Sequence, residues 1–197
     1  MKKLTFLMCA LAFLFNANAQ EPQFVSKEQQ NRNVLIEEFT GRNCGYCPDG
    51  HKIANKISKD NPGRVWAVNI HGGGYSPTTY PNLNTTDGNV ISGGFSVAGY
   101  PAGVVNRSTA GSVDRGQWTS LSNTQLAQTA EVNVGGQVVI NPVSRTATIT
   151  VEAYYTADSK ESTNYLTVVM LQDSILGSQS GASSNPAQVV NGQYCHM

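Results

Sequence analysis

The feature that most constrains the fold is a short apolar run followed closely by two cysteines. Residues 34–39 read Val-Leu-Ile-Glu-Glu-Phe, which predicts a buried strand, and a Cys-Gly-Tyr-Cys motif occupies residues 44–47. We expect this motif to open a helix that continues over residues 51–60. A strand, a C-x-x-C turn and a helix in this order are the layout of a thiol–disulfide redox site.

The start of the predicted helix suggests a role for each cysteine. Asn43 is expected to cap the helix, because its side chain can accept a hydrogen bond from the first turn. Cys44 would then lie at the positive end of the helix dipole, which favours a thiolate. We therefore predict that Cys44 is the exposed nucleophile and that Cys47, one turn further on, is the buried resolving thiol.

An acidic residue at the end of the predicted strand adds a possible proton carrier. Strand alternation would turn one of Glu37 and Glu38 to solvent and the other towards the core behind the cysteines. A buried carboxyl at Glu38 would have a raised pKa and would take the proton from Cys47 during exchange. The alternative is that both are ordinary surface glutamates at a strand end.

Two other interpretations of the cysteine pair stay open. A structural disulfide is common in exported proteins, although so short a loop restrains the unfolded chain little. A zinc site would need four ligands, and the sequence has neither a second C-x-x-C motif nor a close histidine pair. We expect no metal and no other cofactor.

The N-terminus has the composition of a secretion signal. Two lysines precede an apolar stretch over residues 4–15, and Ala-Asn-Ala at residues 17–19 is a small-x-small cleavage site. The mature chain is expected to begin at Gln20 and to be exported. Cys9 follows a methionine instead of a small residue, so direct lipid anchoring is not expected. No later segment is long and apolar enough to span a bilayer.

The rest of the chain predicts two kinds of sheet. Residues 65–70 predict a second strand parallel to the first, and an apolar stretch after Tyr100-Pro101 predicts a third. The weakly patterned residues 82–95 are compatible with a short helix, and residues 117–131 predict another. Charged residues make up only 13% of the chain, and its formal charge is zero without any basic run. The sequence therefore does not predict a nucleic-acid binder.

After residue 131 the pattern changes to alternation. Residues 132–140, 146–155 and 165–172 predict antiparallel strands with one wet face, as in a β-sandwich. The polar residues 173–194 predict a loop, and no closing strand is expected after them. Because three strands make a poor sandwich, we expect the sequence to be a C-terminally incomplete piece.

The order of these elements resembles the thioredoxin fold. In that superfamily the proline before the third strand is cis and lies against the disulfide, and Tyr100-Pro101 matches it by position. The resemblance implies that Tyr100 and Pro101, with Gly45 and Tyr46 between the cysteines, contact a partner peptide. Glu38 matches the buried acid of thioredoxins by its spacing to the first cysteine.

A narrower resemblance covers most of the mature chain. Residues 37–48 and 99–107 look like the Omp28-related outer-membrane family of Bacteroidetes-type bacteria, in which a thioredoxin-like domain precedes a β-sandwich. The expected fold class is therefore an α/β thioredoxin-like domain followed by an incomplete antiparallel β-sandwich. The expected domains are listed in chain order: a signal peptide at 1–19, a leader at 20–33, the thioredoxin-like domain at 34–131 and the start of the β-sandwich at 132–197.

Two functions follow from these expectations. The first is thiol–disulfide exchange on protein thiols and disulfides in the cell envelope, with Cys44 attacking and Cys47 resolving. The second is an outer-membrane-associated binding or adhesion protein in which the disulfide is structural. Fold alone does not decide between them, because function depends on the site.

Overall fold

The computed structural model describes residues 24–196. The predicted signal peptide at residues 1–19, including Cys9, and the predicted mature start at Gln20 lie outside that range. Among residues 24–196, no helix has the length and apolar character needed to cross a membrane.

A four-stranded mixed sheet forms the first part of the described chain. Its strands are β1 (Val34–Thr40), β2 (Val65–His71), β3 (Ala102–Val105) and β4 (Val113–Asp114). They lie in the order β2-β1-β3-β4, with β1 and β2 parallel and β3 antiparallel to both β1 and β4. Three helices accompany the sheet: α1 (Cys47–Asp60), α2 (Thr86–Gly94) and α3 (Trp118–Leu126). This arrangement is consistent with a thioredoxin-like domain.

Strand alternation in β1 divides the apolar core between the two faces of the sheet. Val34 and Ile36 face α1 and α3 and pack in a cluster with Ile57 and Trp118. Phe39 lies on the opposite face and packs with the residues around α2. Because successive side chains of a strand point to opposite faces, Glu38 is on the α1 face of β1 and Glu37 is on the other face.

The beginning of α1 differs from the prediction. The helix starts at Cys47, its N-terminal flanking residue is Tyr46, and no side chain caps it. Asn43 does not cap the helix, because it lies four residues before the first helical residue, and its backbone N–H donates to the carbonyl of Tyr75 at 2.8 Å. Cys44 therefore lies in a turn before the helix, where its own N–H donates to the carbonyl of Gly41 at 3.0 Å.

The alternating segment after residue 131 forms a hairpin. Strands β5 (Val132–Asn141) and β6 (Thr146–Tyr155) pair antiparallel along their whole length, as predicted. The expectation that only one face of this hairpin is exposed to solvent is wrong, because Val134 and Ile149 on the predicted apolar face are 58% and 42% exposed. The third predicted strand, at residues 165–172, is absent: this segment has no regular secondary structure, and it is exposed throughout.

The polar residues near the C-terminus form a second antiparallel sheet, where a loop was predicted. It contains β7 (Ile175–Gly177), β8 (Val189–Val190) and β9 (Gln193–His196) in the order β7-β9-β8. Two short 3-10 helices lie between β7 and β8. The sequence pattern failed because this sheet is held by tertiary contacts. Tyr194 and His196 of β9 are buried at 2% exposure each.

Candidate functional site

The two cysteines of the motif form a disulfide at the start of α1. Their Cα atoms are 5.4 Å apart, and Cys47 is the first helical residue. Both are buried, with Cys44 3% exposed and Cys47 fully buried. The predicted exposed nucleophile is thus wrong for this state of the protein, because another part of the chain covers Cys44.

Glu38 and Pro101 both approach α1 at Gly50, which lies one turn after Cys47. A Cβ atom at Gly50 would lie 2.5 Å from Oε1 of Glu38 and 2.9 Å from Cβ of Pro101. The Tyr100–Pro101 peptide bond is cis. Glycine at position 50 therefore lets the acid and the proline approach the helix that carries Cys47. Sequence reasoning did not single out Gly50, because glycine within a predicted helix gives no sign of what packs against it.

The carboxyl of Glu38 is in an unfavourable environment for a charge. It is fully buried, and neither oxygen accepts a hydrogen bond from the residues that the structure describes. Burial raises the pKa of Glu38 well above its ordinary value of 4.5, and the nearby charge of Arg115 offsets only part of this effect. Glu38 consequently keeps its proton to a higher pH than an exposed glutamate. The alternative of a surface glutamate is excluded by this burial.

Glu37 is also buried, so the expectation that one of the two acids faces solvent is wrong. Its carboxylate accepts two hydrogen bonds from the guanidinium of Arg107, at 2.7 and 2.6 Å. Glu37 thus has hydrogen bonds from a charged group, which the carboxyl of Glu38 lacks among the described residues. The two neighbouring acids of β1 thus occupy chemically different environments.

His51 lies next to Glu38 and connects α1 to the C-terminal sheet. Its Nε2 is 2.8 Å from Oγ1 of Thr40, and its Nδ1 is 2.8 Å from the hydroxyl of Tyr194. Nε2 is also 3.7 Å from Oε1 of Glu38. Burial, followed by repulsion from two other histidines, lowers the pKa of His51 to about 3. Because the pKa of His51 lies far below neutral pH, its imidazole is uncharged there and this contact is not an ion pair.

Three buried histidines, His51, His71 and His196, form what we call the histidine cluster. The rings of His71 and His196 meet edge to face with centroids 5.3 Å apart, and Tyr194 lies between His196 and His51. Burial lowers the pKa of His71 to about 3 and that of His196 to about 4. No group of at least three His, Cys, Asp or Glu side chains in residues 24–196 is arranged to hold a metal ion.

The other predicted partner-binding residues differ in how exposed they are to solvent. Gly45 and Tyr46 lie at the surface beside the disulfide, and Tyr46 is 72% exposed. Tyr100 packs against Tyr75, with ring centroids 5.6 Å apart, and burial raises its pKa. The structure therefore brings Glu38 and Pro101 close to the cysteine helix, while Tyr46 offers an open surface. The partner-binding and catalytic roles of all these residues stay predictions.

A segment of the C-terminal sheet region covers the cysteine turn. We call residues 178–185 the cover segment. The side-chain amide of Gln179 donates to the carbonyls of Cys44 and Gly41, at 3.0 and 3.2 Å. The backbone N–H of Ser180 donates to the carbonyl of Arg42 at 2.8 Å. These contacts hold the cover segment against the turn in which Cys44 is 3% exposed. No local pattern in the sequence predicts them.

Arg42 fixes one end of the cover segment. Its guanidinium donates to the carbonyl of Thr79 at 3.0 Å, to that of Pro81, and to the hydroxyl of Ser178 at 2.8 Å. Only 6% of Arg42 is exposed. Arginine beside a redox motif is ordinarily read as a solvated charge, so this structural role was not found from the sequence.

Comparisons with known proteins give only distant likenesses. No protein-family model and no curated protein matches the chain. Among solved structures, HBP35 of Porphyromonas gingivalis is similar at 21% identity and a TM-score of 0.43, over 56% of this chain and 38% of that chain. Protein AGR_C_4864 from Agrobacterium tumefaciens is similar at 12% identity and a TM-score of 0.37, over 66% and 71% of the two chains. The chain thus matches well under half the length of HBP35.

Proposed function

We propose that this protein exchanges its Cys44–Cys47 disulfide with thiols or disulfides of protein partners. The observation that carries the proposal is the convergence at Gly50, where the buried acid Glu38 and the ring of Pro101 meet the helix that begins with Cys47. A proton carrier behind the second cysteine is useful for exchange, since the thiolate is both the attacking and the leaving group. A disulfide that only stabilises the fold has no need of it.

The reaction requires a dithiol partner when the protein starts in its oxidised form. A partner thiolate attacks the sulfur of Cys44, a mixed disulfide forms, and Cys47 leaves as a thiolate that takes the proton of Glu38. A second partner thiol loses its proton and attacks the partner sulfur of the mixed disulfide, which releases Cys44 as a thiolate. Two electrons pass from the partner to the cysteines, and Glu38 and solvent supply the two protons that the cysteines take up.

The reverse reaction uses the same groups. The thiolate of Cys44 attacks a partner disulfide, and Glu38, then ionised, takes the proton from Cys47. The Cys47 thiolate attacks the sulfur of Cys44, which releases the reduced partner and restores the intramolecular disulfide. The pKa of Glu38 is raised by burial, so the carboxyl keeps a proton that it can donate to the Cys47 thiolate. In the reverse direction, the ionised carboxyl is a better proton acceptor than an exposed glutamate.

We further propose that the protein works in the cell envelope, in the periplasm or at the outer membrane. The support is the predicted secretion signal at residues 1–19 and the resemblance of residues 37–48 and 99–107 to the Omp28-related family. An exported thiol protein meets an oxidising compartment, which fits an oxidised pair as the resting state.

The second candidate function is a binding protein with a structural disulfide. The observation that favours it is the burial of both cysteines, because inert disulfides and thiols are usually inaccessible. The β5–β6 hairpin, which carries exposed apolar side chains on both faces, would then contribute to the binding surface. This reading leaves the unpaired carboxyl of Glu38 without a role.

The reduction potential of the Cys44–Cys47 pair decides between the two functions. We would equilibrate the chain from Gln20 onwards in glutathione and dithiothreitol buffers and count alkylated thiols by mass spectrometry. A Cys195→Ser variant is the matched control, since it leaves only the pair to be counted. A potential between about −270 and −120 mV supports exchange, whereas one below about −300 mV indicates a structural disulfide.

A further inference from the structure

We propose that the cover segment, residues 178–185, is an intramolecular lid on Cys44 that must move before a protein partner can react. This inference rests on the proposed function and adds a form of regulation to the same site. The resting protein would be a closed form whose disulfide is hidden, and the rate of exchange would depend on how often the segment opens.

The first support is where the cover segment binds. It contacts the backbone of the cysteine turn itself: Gln179 holds the carbonyl of Cys44, and Ser180 holds the carbonyl of Arg42. A partner peptide that approached Cys44 from this side would meet the cover segment first. The 3% exposure of Cys44 is thus a property of the closed form.

The second support is the fit of a single glycine. Gly181 has φ of +70°, and a Cβ atom there would lie only 1.9 Å from the carbonyl oxygen of Gly45. That oxygen belongs to the residue directly after Cys44. No residue with a side chain can occupy position 181 without moving the segment away from the cysteine turn. The closed position of the cover segment therefore depends on glycine at this site.

The third support is the contrast between the segment and its anchors. Ser178 is held by the buried guanidinium of Arg42, and beyond the other end Tyr194 is buried against His51. Between these anchors, residues 180, 181, 183 and 184 are exposed. The segment is attached to the cysteine turn by a few hydrogen bonds, each of which contributes only a modest net stability. It can therefore open while both anchors stay in place.

The experiment compares two glycine variants in the same part of the chain. Gly181→Ala introduces the clash with Gly45. Gly192→Ala is the matched control, because Gly192 also has a positive φ of +78° but nothing lies within 4 Å of an added Cβ. Both substitutions place a side chain on a backbone with positive φ, so a difference between them reports the contact with the cysteine turn.

The readout is the rate at which excess dithiothreitol reduces the Cys44–Cys47 disulfide, followed by acid quenching, alkylation and mass spectrometry. We expect Gly181→Ala to be reduced about tenfold faster than the parent chain, and Gly192→Ala to stay within about twofold, because the rate follows the open fraction. Equal rates for the parent and Gly181→Ala would overturn the proposal.

A second variant covers the case in which Gly181→Ala does not fold, which urea denaturation would reveal. Gln179→Ala removes the hydrogen bonds to the carbonyls of Cys44 and Gly41 without a clash. It should accelerate reduction about threefold to tenfold, as expected for the loss of one or two hydrogen bonds. A rate equal to that of the parent chain would contradict the proposal.

The rate and the potential test different claims. If the potential falls in the structural range but Gly181→Ala is still reduced faster, the proposed exchange function fails and the lid stands. If the potential falls in the range of exchange proteins and neither Gly181→Ala nor Gln179→Ala changes the rate, the function stands and the lid is refuted.

Discussion

Replacing Glu38 with leucine should make the protein more stable. The Glu38 side chain is fully buried, and neither of its oxygens accepts a hydrogen bond from residues 24–196. A buried polar group without partners costs about 1–3 kcal/mol, and leucine fills a similar volume with apolar atoms. Glu38→Leu should therefore raise the free energy of unfolding by about 1–3 kcal/mol near pH 4.5, and by more at higher pH.

The size of this gain should depend on pH. Above its ordinary pKa of 4.5, the carboxyl ionises in the unfolded chain while burial keeps it protonated in the folded protein. The folded state then binds more protons, so the stability of the parent chain falls as pH rises through this window. The Glu38→Leu variant has no carboxyl at this position, so its free energy of unfolding does not fall for this reason as pH rises. The difference between the two proteins should increase with pH above 4.5, by at most about 1.4 kcal/mol per pH unit.

The assay is urea denaturation of the oxidised proteins at pH 5, 7 and 8.5, followed by tryptophan fluorescence. Glu37→Leu is the matched control, because Glu37 is the preceding residue of β1 but is paired with Arg107. Its loss should lower the stability by about 1 kcal/mol, a small value because Arg107 is half exposed. A Glu38→Leu variant that is less stable than the parent at pH 7, or a difference that does not change with pH, would refute the reasoning.

Three further measurements test the packing around the site. Gly50→Ala should lower the free energy of unfolding by about 1–3 kcal/mol, since the added Cβ meets a carboxyl and a proline ring; Gly93→Ala, an open position in α2, should be neutral or raise it by up to about 1 kcal/mol in the same urea assay. The histidine cluster should make stability fall as pH drops from about 6.5 towards 4, because its members stay neutral in the fold but take up protons when unfolded. His196→Gln should flatten that profile, and an unchanged slope would contradict the assignment. Trp118→Ala should cost about 3–5 kcal/mol, measured by urea denaturation followed by circular dichroism.

The parts of the fold that the sequence predicted well are those with a local pattern. The apolar runs of β1 and β2 and the alternation of β5 and β6 fix strand positions from neighbouring residues alone. The helix after the cysteines was predicted, but its first residue was not. Asn43 has the right side chain for a cap, yet a contact with Tyr75, far along the chain, decides what its backbone does.

The C-terminal sheet shows why the rest could not be predicted. Residues 173–194 are polar, and composition alone assigns such a stretch to a loop. The burial of Tyr194 depends on His51, which is 143 positions earlier in the chain. A hydrogen bond between two side chains so far apart in the chain leaves no periodic pattern and no motif in the sequence. For the same reason the sequence could name Cys44 as a reactive residue but could not show that Gln179 covers it.

The two candidate functions require different properties of the same few residues. The structure has one property that favours each function. Burial protects a structural disulfide from reduction, and Cys44 and Cys47 are both buried. Glu38 gives a structural disulfide no advantage, because a buried acid without hydrogen bonds lowers the stability of the fold and does not protect the disulfide bond. A buried acid that costs stability is ordinarily kept for chemistry. The two observations become compatible if the burial of Cys44 is reversible, since a movable cover hides the disulfide at rest and the acid behind it acts when the cover opens. The stability gain of Glu38→Leu measures what the buried acid costs, and the faster reduction of Gly181→Ala tests whether the burial of Cys44 is reversible.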